Sequence, residues 1–495
     1  EAPERTIEFL AEVAAGGEGR LAVLGDDGEK FGVWPGTRER CWRDGWLEQF
    51  AAALEAAPWI ELLPPGEALE RHAPLGLAYL PTASYHEMAQ WSLPSTAQRR
   101  YRAAATTLEP TYGALAHDLL RGGHWRAFQM RYPESNRMHK RMLRASRRLH
   151  ALPGRDRAWR EARTHLWRSQ CNCAYWHGVF GGLYLPLLRE AVYRELIAVE
   201  RYLAPPGPHL ERGDVDLDGS EDAVIETREW AAWVGVRGGS LWAFDDRRGG
   251  CNWGDTLAKR DEAYHDALTD AAVGGGEGET IHSAVRVTEA GLAELAAVSD
   301  LLPRDSFQER WVGGGEEIDW AARAFTFESA PAHEVRLVAT AGASESPGGL
   351  TLAKRYRPHE REGLEAELTL RSAARRSGRF EVALHLGVHV PDSPDRFVVV
   401  NGERAERPAF AARATHARVR RLDLVDQWAG VRLEIELDRE ADLDRSPIET
   451  VSLSERGAER VFQGLAARFS FPLELEAGQP WTVRFTLRPT VERAA

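Results

Sequence analysis

Lysine is almost missing from this chain. It stands at Lys30, Lys140, Lys259 and Lys354 alone, against 63 lysines and arginines together in 495 residues. Ammonium and guanidinium groups are not interchangeable, so a surviving lysine suggests a place that needs a compact charge. Cysteine is equally scarce, at Cys41, Cys171, Cys173 and Cys251, which is too few for a disulfide scaffold. Cys171 and Cys173 form a single C-x-C with no second pair, so a zinc site is not expected. No apolar run is long enough to span a bilayer, and no signal-peptide pattern is seen. No basic run offsets the formal net charge of -12, which argues against a nucleic-acid partner. The expected compartment is the cytoplasm.

What is present is an ordinary globular balance, 43% hydrophobic and 28% charged. The length suits two to four domains, each able to bury a core. Tryptophan is plentiful at 17, which fits stacking on sugar rings and equally fits large cores. Thr6–Ala14 reads as a helix. Trp42–Ala57 reads as another, with Trp46, Phe50 and Leu54 at i, i+4, i+8. Leu21–Leu24 and Trp59–Leu63 read as buried strands, the second closed by Pro64-Pro65-Gly66. Residues from about 76 to 203 carry helical periodicity. Ser84 with Glu87 has capping-box spacing, Tyr112–Leu120 is a helix, and Asn136–Ala151 is another. There Ser135 can cap, and Met138, Met142 and Leu149 form a core stripe.

The stretch that carries chemistry is LAVLGDDGEKFGVWPGT, Leu21–Thr37. Its short apolar run ends in a turn holding Asp26, Asp27 and Glu29. Carboxylates at the C-terminal end of a strand suit the active-site end of an α/β barrel. Like charges crowded in a cleft raise at least one pKa, as a general acid requires. From residue types alone, a solvated acidic loop is the plain alternative. A second candidate is CNCAYWHGVFGGLYLPLLRE, Cys171–Glu190. Tyr175, Trp176 and His177 adjoin a glycine-rich turn, Gly178 to Gly182. The aromatics could present a face to a sugar and His177 could reach a hydroxyl, or the stretch is a helix end packed by its aromatics.

After Leu203-Ala204-Pro205-Pro206-Gly207-Pro208 the period changes to two. AVIETREW, GSLWAFD, SAVRVT, AFTFES, EVRLVAT, GLTLAKRY, LEAELTL, FEVALHLGVHV, RFVVVNG, VRLEIEL, AARFSFPLEL and WTVRFTL all read as strands. Asp214, Asp216 and Asp218 with Gly219 mimic the start of a calcium loop. Position 225 is Ile where the bidentate Glu should stand, so the stretch reads as a calcium site or, better, as a β-turn.

DDGEKFGVWPGT followed by GWLEQF, RYPESNRMHKRM (Arg131–Met142) and CNCAYWHG together resemble the family 57 glycoside hydrolases, in the branch that holds the 4-alpha-glucanotransferases. DVDLDGSEDAVIET (Asp214–Thr227) and TLAKRDEAYH (Thr256–His265) resemble the β domain of the same enzymes. The resemblance implies that Asp27 is the catalytic acid/base, with Glu29, Lys30, Trp34, Cys173, Tyr175, Trp176 and His177 around the substrate. It also implies a retaining reaction, which needs two carboxyls about 5–5.5 Å apart. The nucleophilic Glu of the family finds no match here and is expected before residue 1. Cys173 departs from the pattern: the family has an Asp there, in its catalytic centre.

The expected fold is multidomain α/β plus β. It comprises the C-terminal part of an incomplete (β/α) barrel (1–75), a helical region completing the catalytic domain (76–203), a linker (204–213), and a large antiparallel β-sandwich (214–495). The expected function is that of a retaining 4-alpha-glucanotransferase, present as a fragment without its nucleophile. An α-amylase and a non-catalytic glucan-binding protein are the alternatives. The expected partner is α-1,4-glucan or maltooligosaccharide, with a homodimer compatible and neither nucleic acid nor membrane. No cofactor and no metal are expected.

Overall fold

A computed structural model describes residues 2–17, 19–34, 36–80, 86–113, 115–178, 181–268, 287, 289–341, 349–359, 363–405, 410–454 and 457–491. They fall in two compact units, residues 1–81 and 82–495. No helix among them is long and apolar enough to cross a membrane.

The first unit holds α1 (Pro3–Ala15), α2 (Trp46–Glu55) and α3 (Pro65–Arg71). Proline opens α1 and α3, where its missing N–H costs nothing. The helix expected over Trp42–Ala57 is broken. Glu39–Arg43 makes one wide turn, and Gly45, at φ 74°, redirects the chain before α2 begins. Trp46 and Phe50 do stack, with ring centroids 5.2 Å apart. The two buried strands expected in this unit are not strands. Leu21–Leu24 and Trp59–Leu63 lie outside any ladder, and Val23 and Leu62 are 88% and 73% exposed. A strand exists through hydrogen bonds to a neighbour, and among the described residues of this unit there is no strand to pair with. The barrel portion expected over 1–75 is therefore not seen as β structure.

In the second unit, helices α4 (His86–Trp91), α5 (Ser95–Tyr112), α6 (Leu115–Leu119) and α7 (Trp125–Arg131) lead to α8 (Pro133–Ala151), α9 (Arg157–Arg168) and α10 (Pro186–Tyr202). The helix expected over Tyr112–Leu120 is divided, because Gly113 at φ 54° ends α5. The cap expected at Ser84 lies outside the described residues, as does the side chain of Glu87. Ser135 is not a cap. Pro133 starts α8 earlier, and the Ser135 hydroxyl is spent on the carbonyl of Tyr175 at 2.5 Å. Met138, Met142 and Leu149 are buried on one stripe of α8, as the spacing requires.

The β part forms two antiparallel sheets. The smaller runs in chain order: β1 (His209–Gly213), β2 (Asp222–Glu226), β3 (Trp230–Gly235), β4 (Leu241–Asp246) and β5 (Cys251–Asn252). β1 occupies half of the segment read as a linker and pairs with β2. The larger sheet contains β6 (Gln308–Gly313), β7 (Glu316–Asp319), β8 (Thr326–Phe327), β9 (Val335–Ala341), β10 (Leu350–His359), β11 (Gly363–Ser372), β12 (Arg376–Leu386), β13 (Arg396–Val400), β14 (Glu403–Arg404), β15 (Ala414–Asp426), β16 (Val431–Ser454), β17 (Gly457–Leu475) and β18 (Pro480–Val491). Its order is β7-β6-β12-β17-β16-β18-β11-β10-β9-β8, with β15 beside β16 and carrying β13 and β14. Of the strand read at SAVRVT, only Val287 lies among the described residues.

One apolar core joins the sheets, with Ile225, Trp230 and Phe244 from the small one and Leu352, Phe380 and Phe485 from the large one. Strands with one wet face alternate, as β9 does. By contrast β2, β3 and β4 are buried at every position. Their second face is covered by α8. Arg141 lies 4.4 Å over the Trp233 ring, and Arg137 lies 5.1 Å over Trp242. A sheet covered on both faces reads as a continuous apolar run rather than an alternating one.

Candidate active site

The acidic turn lies in the first unit. Asp27 has an extended backbone and precedes a single 3-10 turn, Gly28–Phe31. The turn is tied by the Glu29 carbonyl, which accepts from the amides of Val33 (2.9 Å) and Trp34 (3.1 Å). The indole of Trp42 donates to the Phe31 carbonyl at 2.7 Å and fastens it from outside. Lys30 folds back over the acids. Its ammonium donates to Asp26 at 2.5 Å, stands 3.9 Å from Asp27, and lies 5.7 Å from the centre of the Trp34 ring. Glu29 points to solvent.

The electrostatics differ from the like-charge crowding expected from the sequence. The Lys30 hydrogen bond and the amide of Asp27 hold Asp26 below the usual carboxylate range, and Asp26 raises Lys30 in return. Lysine thus commits itself to Asp26, and the Asp27 side chain stays 67% exposed. Asp27, Lys30 and Trp34 are brought together, with a carboxylate, a cation and a ring at one surface.

The second candidate stretch lies in the other unit. It is not a helix end but a short 3-10 turn, Asn172–Tyr175. Tyr175 is buried, and its hydroxyl donates to the Ser169 carbonyl at 2.6 Å. Cys173 is exposed, with its Sγ 3.5 Å from Asn172 Oδ1. Trp176 is half-buried and packs on the helical core. The chain returns tightly at Gly182 (φ 46°), where a Cβ would stand 2.1 Å from the Trp176 carbonyl, so only glycine fits.

His177 is fully buried rather than facing a ligand, ringed by Trp91, Phe128, Tyr132, Tyr184 and Tyr264. Its Nε2 is 2.6 Å from the Tyr132 hydroxyl, which in turn donates to Glu262 at 2.7 Å. The proton therefore sits on Nε2. Burial lowers the imidazole pKa against the pull of Glu262, so the ring is neutral. Glu262 also accepts from Tyr184 (2.7 Å) and from Arg131 (2.5 Å). Burial alone would raise its pKa, but the Arg131 guanidinium, with the hydrogen bond from Tyr132, outweighs that and holds it well below the usual range.

Glu262, Arg131, Tyr132 and Tyr184 were not singled out from the sequence. The signal was there: three motifs separated along the chain, RYPESNRMHKRM, CNCAYWHG with GGLY, and TLAKRDEAYH, meet at Glu262. The first of these motifs is tied to the third again by Glu134 with Arg260 (2.7 Å), and to DVDLDGSEDAVIET by Asn136 with the Asp216 carbonyl (2.6 Å). Among the described residues, Asp214, Asp216 and Asp218 form the one acidic cluster close enough for a cation. Their carboxylates accept the turn's own amides at Asp218, Gly219 and Ser220, which is how an aspartate-rich turn stabilises itself.

Three family profiles match the chain: glycosyl hydrolase family 57 over residues 1–81, the middle domain of alpha-amylase/4-alpha-glucanotransferase over 123–203, and the C-terminal domain of that group over 214–485. The 4-alpha-glucanotransferase of Thermococcus kodakarensis is 34% identical, over 98% of this chain and 70% of the relative. Alpha-amylase 1 of Dictyoglomus thermophilum is 31% identical, over 98% of this chain and 72% of the relative. The crystal structure of 4-alpha-glucanotransferase from Thermococcus litoralis superposes with a TM-score of 0.72 at 29% identity, covering 98% of this chain and 70% of that one. With identity at this level along nearly its whole length, the chain belongs to glycosyl hydrolase family 57, in the group that contains the alpha-amylases and 4-alpha-glucanotransferases.

Proposed function

We propose that this glycoside hydrolase acts on α-1,4-glucans as a retaining 4-alpha-glucanotransferase, with Asp27 as its acid/base. The observation that carries the reading is the way Lys30 pairs with Asp26 and leaves the Asp27 carboxyl exposed, with the Trp34 ring near the same ammonium. In this scheme Asp27 protonates the departing glycosidic oxygen and then takes the proton of the incoming hydroxyl. Lys30 and Glu29 bind sugar hydroxyls, and Trp34 stacks on a glucose ring. Tyr175, Trp176, His177 and Cys173 serve the substrate from their own loop, His177 by fixing that loop to Tyr132 and Glu262. Transfer, rather than hydrolysis, follows when acceptor sugar is held and water excluded. The relatives named alpha-amylase keep hydrolysis as the alternative outcome.

A retaining mechanism needs a nucleophilic carboxylate besides Asp27. None in this chain carries the family's nucleophile motif. We therefore expect maltotetraose incubated with the 495-residue chain to stay unchanged in chromatography. Longer and shorter maltooligosaccharides together would show transfer, and shorter ones alone hydrolysis. Either kind of turnover, if lost in Asp27→Asn, would place the second carboxylate within this chain. Turnover retained in Asp27→Asn would remove Asp27 from the acid/base role.

A further inference from the structure

A cavity in the second unit, lined by no residue of the acidic turn or of the 171–178 loop, has the chemistry of a binding site. It lies between α10, β5 with the turn after it, the end of β12 and the turn after β15. Three of its lining side chains are more than nine-tenths buried and keep a polar atom with no hydrogen-bond partner among the described residues: Asn252 Nδ2, Trp253 Nε1 and Asp255 Oδ2. His389 adds an unpartnered Nδ1. Such groups are rare in folded proteins and call for an explanation.

For Asn252 and Asp255 the orientation is imposed by the other half of the side chain. Asn252 Oδ1 accepts from the amides of Phe244 (3.2 Å) and Gly254 (2.9 Å), which leaves Nδ2 as the spare donor. Asp255 Oδ1 accepts from Arg189 Nε at 2.7 Å, which leaves Oδ2 as the spare acceptor. Asp255 Oδ2 and His389 Nε2 are 4.0 Å apart. That is too long for a direct hydrogen bond and short enough for one hydroxyl oxygen to reach both.

The other charges lining the cavity are already matched. Asp426 accepts from Arg396 at 2.8 Å, and Glu190 accepts from Arg194 at 2.7 Å. A free anion or cation therefore finds no unpaired countercharge, whereas the spare groups are a mixture of donors and acceptors. The cavity measures about 40 Å³, on a scale where one water-sized oxygen takes roughly 10–15 Å³. It holds about three such positions, and its exposed lining residue Ala429 marks where it meets solvent.

We propose that this cavity binds the hydroxyl-bearing edge of a single neutral hexose ring, either a free hexose or the end unit of a glucan chain, through residues other than those of the candidate catalytic stretches. The spare donors of Asn252 and Trp253 and the spare acceptor of Asp255, with the His389 imidazole beside them, meet hydroxyls that both donate and accept, while the rest of the ring stays at the solvent-facing opening. Identifying the ring with a glucan unit rests on the proposed function. The site itself rests on the cavity, and its test needs neither turnover nor Asp27.

The test is calorimetric or NMR titration of the 495-residue chain with methyl α-D-glucopyranoside and, separately, with maltotetraose. Ala429 lines the cavity and is exposed, so Ala429→Trp closes the mouth without a demand on the core. Saturable binding of the glucoside with a Kd on the order of 1 mM is expected. It should weaken at least tenfold in Ala429→Trp and in His389→Ala, and persist in Trp176→Ala. Near-UV circular dichroism checks that each variant is folded. Maltotetraose binding in the Trp176→Ala background that Ala429→Trp abolishes assigns the ring to a chain end, and its absence there assigns a free hexose. The proposal is overturned if the glucoside does not saturate, if Ala429→Trp binds it as well as the parent chain, or if Trp176→Ala alone removes it.

Discussion

Lys354 and Glu309 form an ion pair in which both side chains are completely buried within the β core. The ammonium also donates to the carbonyls of Gly238 (2.6 Å) and Phe307 (2.7 Å). Three acceptors converge on one compact cation, a pattern that a planar guanidinium cannot match. Of the four lysines in the chain, this one is retained for packing and charge satisfaction rather than for the candidate site.

Removing one partner of such a pair strands the other. Lys354→Met should destabilise the protein by about 3–5 kcal/mol, read as a shift in the denaturant midpoint. Adding Glu309→Gln should recover a large part of the loss. If the double variant is no better than the single one, the two carbonyls, and not the carboxylate, are what Lys354 serves.

Asp222 gives the fold a pH dependence. Burial, and then Asp216 nearby, push its carboxyl up from 3.8 to about 7 against the pull of Arg137. Below the unfolded value both states hold the proton and the site is neutral toward stability. As pH rises from about 4 to 7 the unfolded chain releases its proton first, so this group lowers stability across that window. Asp222→Asn should remove the slope. The variant gains roughly 2–4 kcal/mol relative to the parent between pH 4 and pH 7. Parallel stability curves for the two proteins would show that Asp222 is ionised throughout.

The β part should not stand alone, although its alternation and its proline-rich boundary suggest a self-contained domain. Glu262, Asp245, Asp255 and Asp305 take their arginine partners, Arg131, Arg141, Arg189 and Arg137, from the helices. Trp233 and Trp242 would also lose the cover of α8. Expressed as 204–495, the segment should be digested by protease at concentrations that leave 82–495 intact. Equal resistance of the two would show that the interface is dispensable.

Cys173 is exposed in the stretch CNCAYWHG, where the resemblance to family 57 implies an Asp. A carboxylate there would accept charge-assisted hydrogen bonds worth about 1.5–3 kcal/mol each. Cys173→Asp should therefore tighten maltotetraose binding at least about tenfold, and Cys173→Ser much less. No gain with Asp, in a folded variant, would take this loop out of substrate binding.

The sequence by itself determined what local pattern can carry. Most of the period-two strands of the C-terminal half, the Met138, Met142 and Leu149 stripe, and the motifs that place the chain in family 57 were legible, because each depends on residues close along the chain. It misled at Leu21–Leu24 and Trp59–Leu63, where apolar runs have the composition of strands but find no neighbour to pair with among the described residues. It also could not show why β2 to β4 carry no wet face, since that depends on α8 lying across them. The tertiary structure alone decided that His177 is buried against Tyr132 and that three distant motifs converge on Glu262. Each of these is a choice among partners, made by the low dielectric of a packed interior and by which side chains the fold brings within hydrogen-bond reach, and no spacing along the chain encodes it.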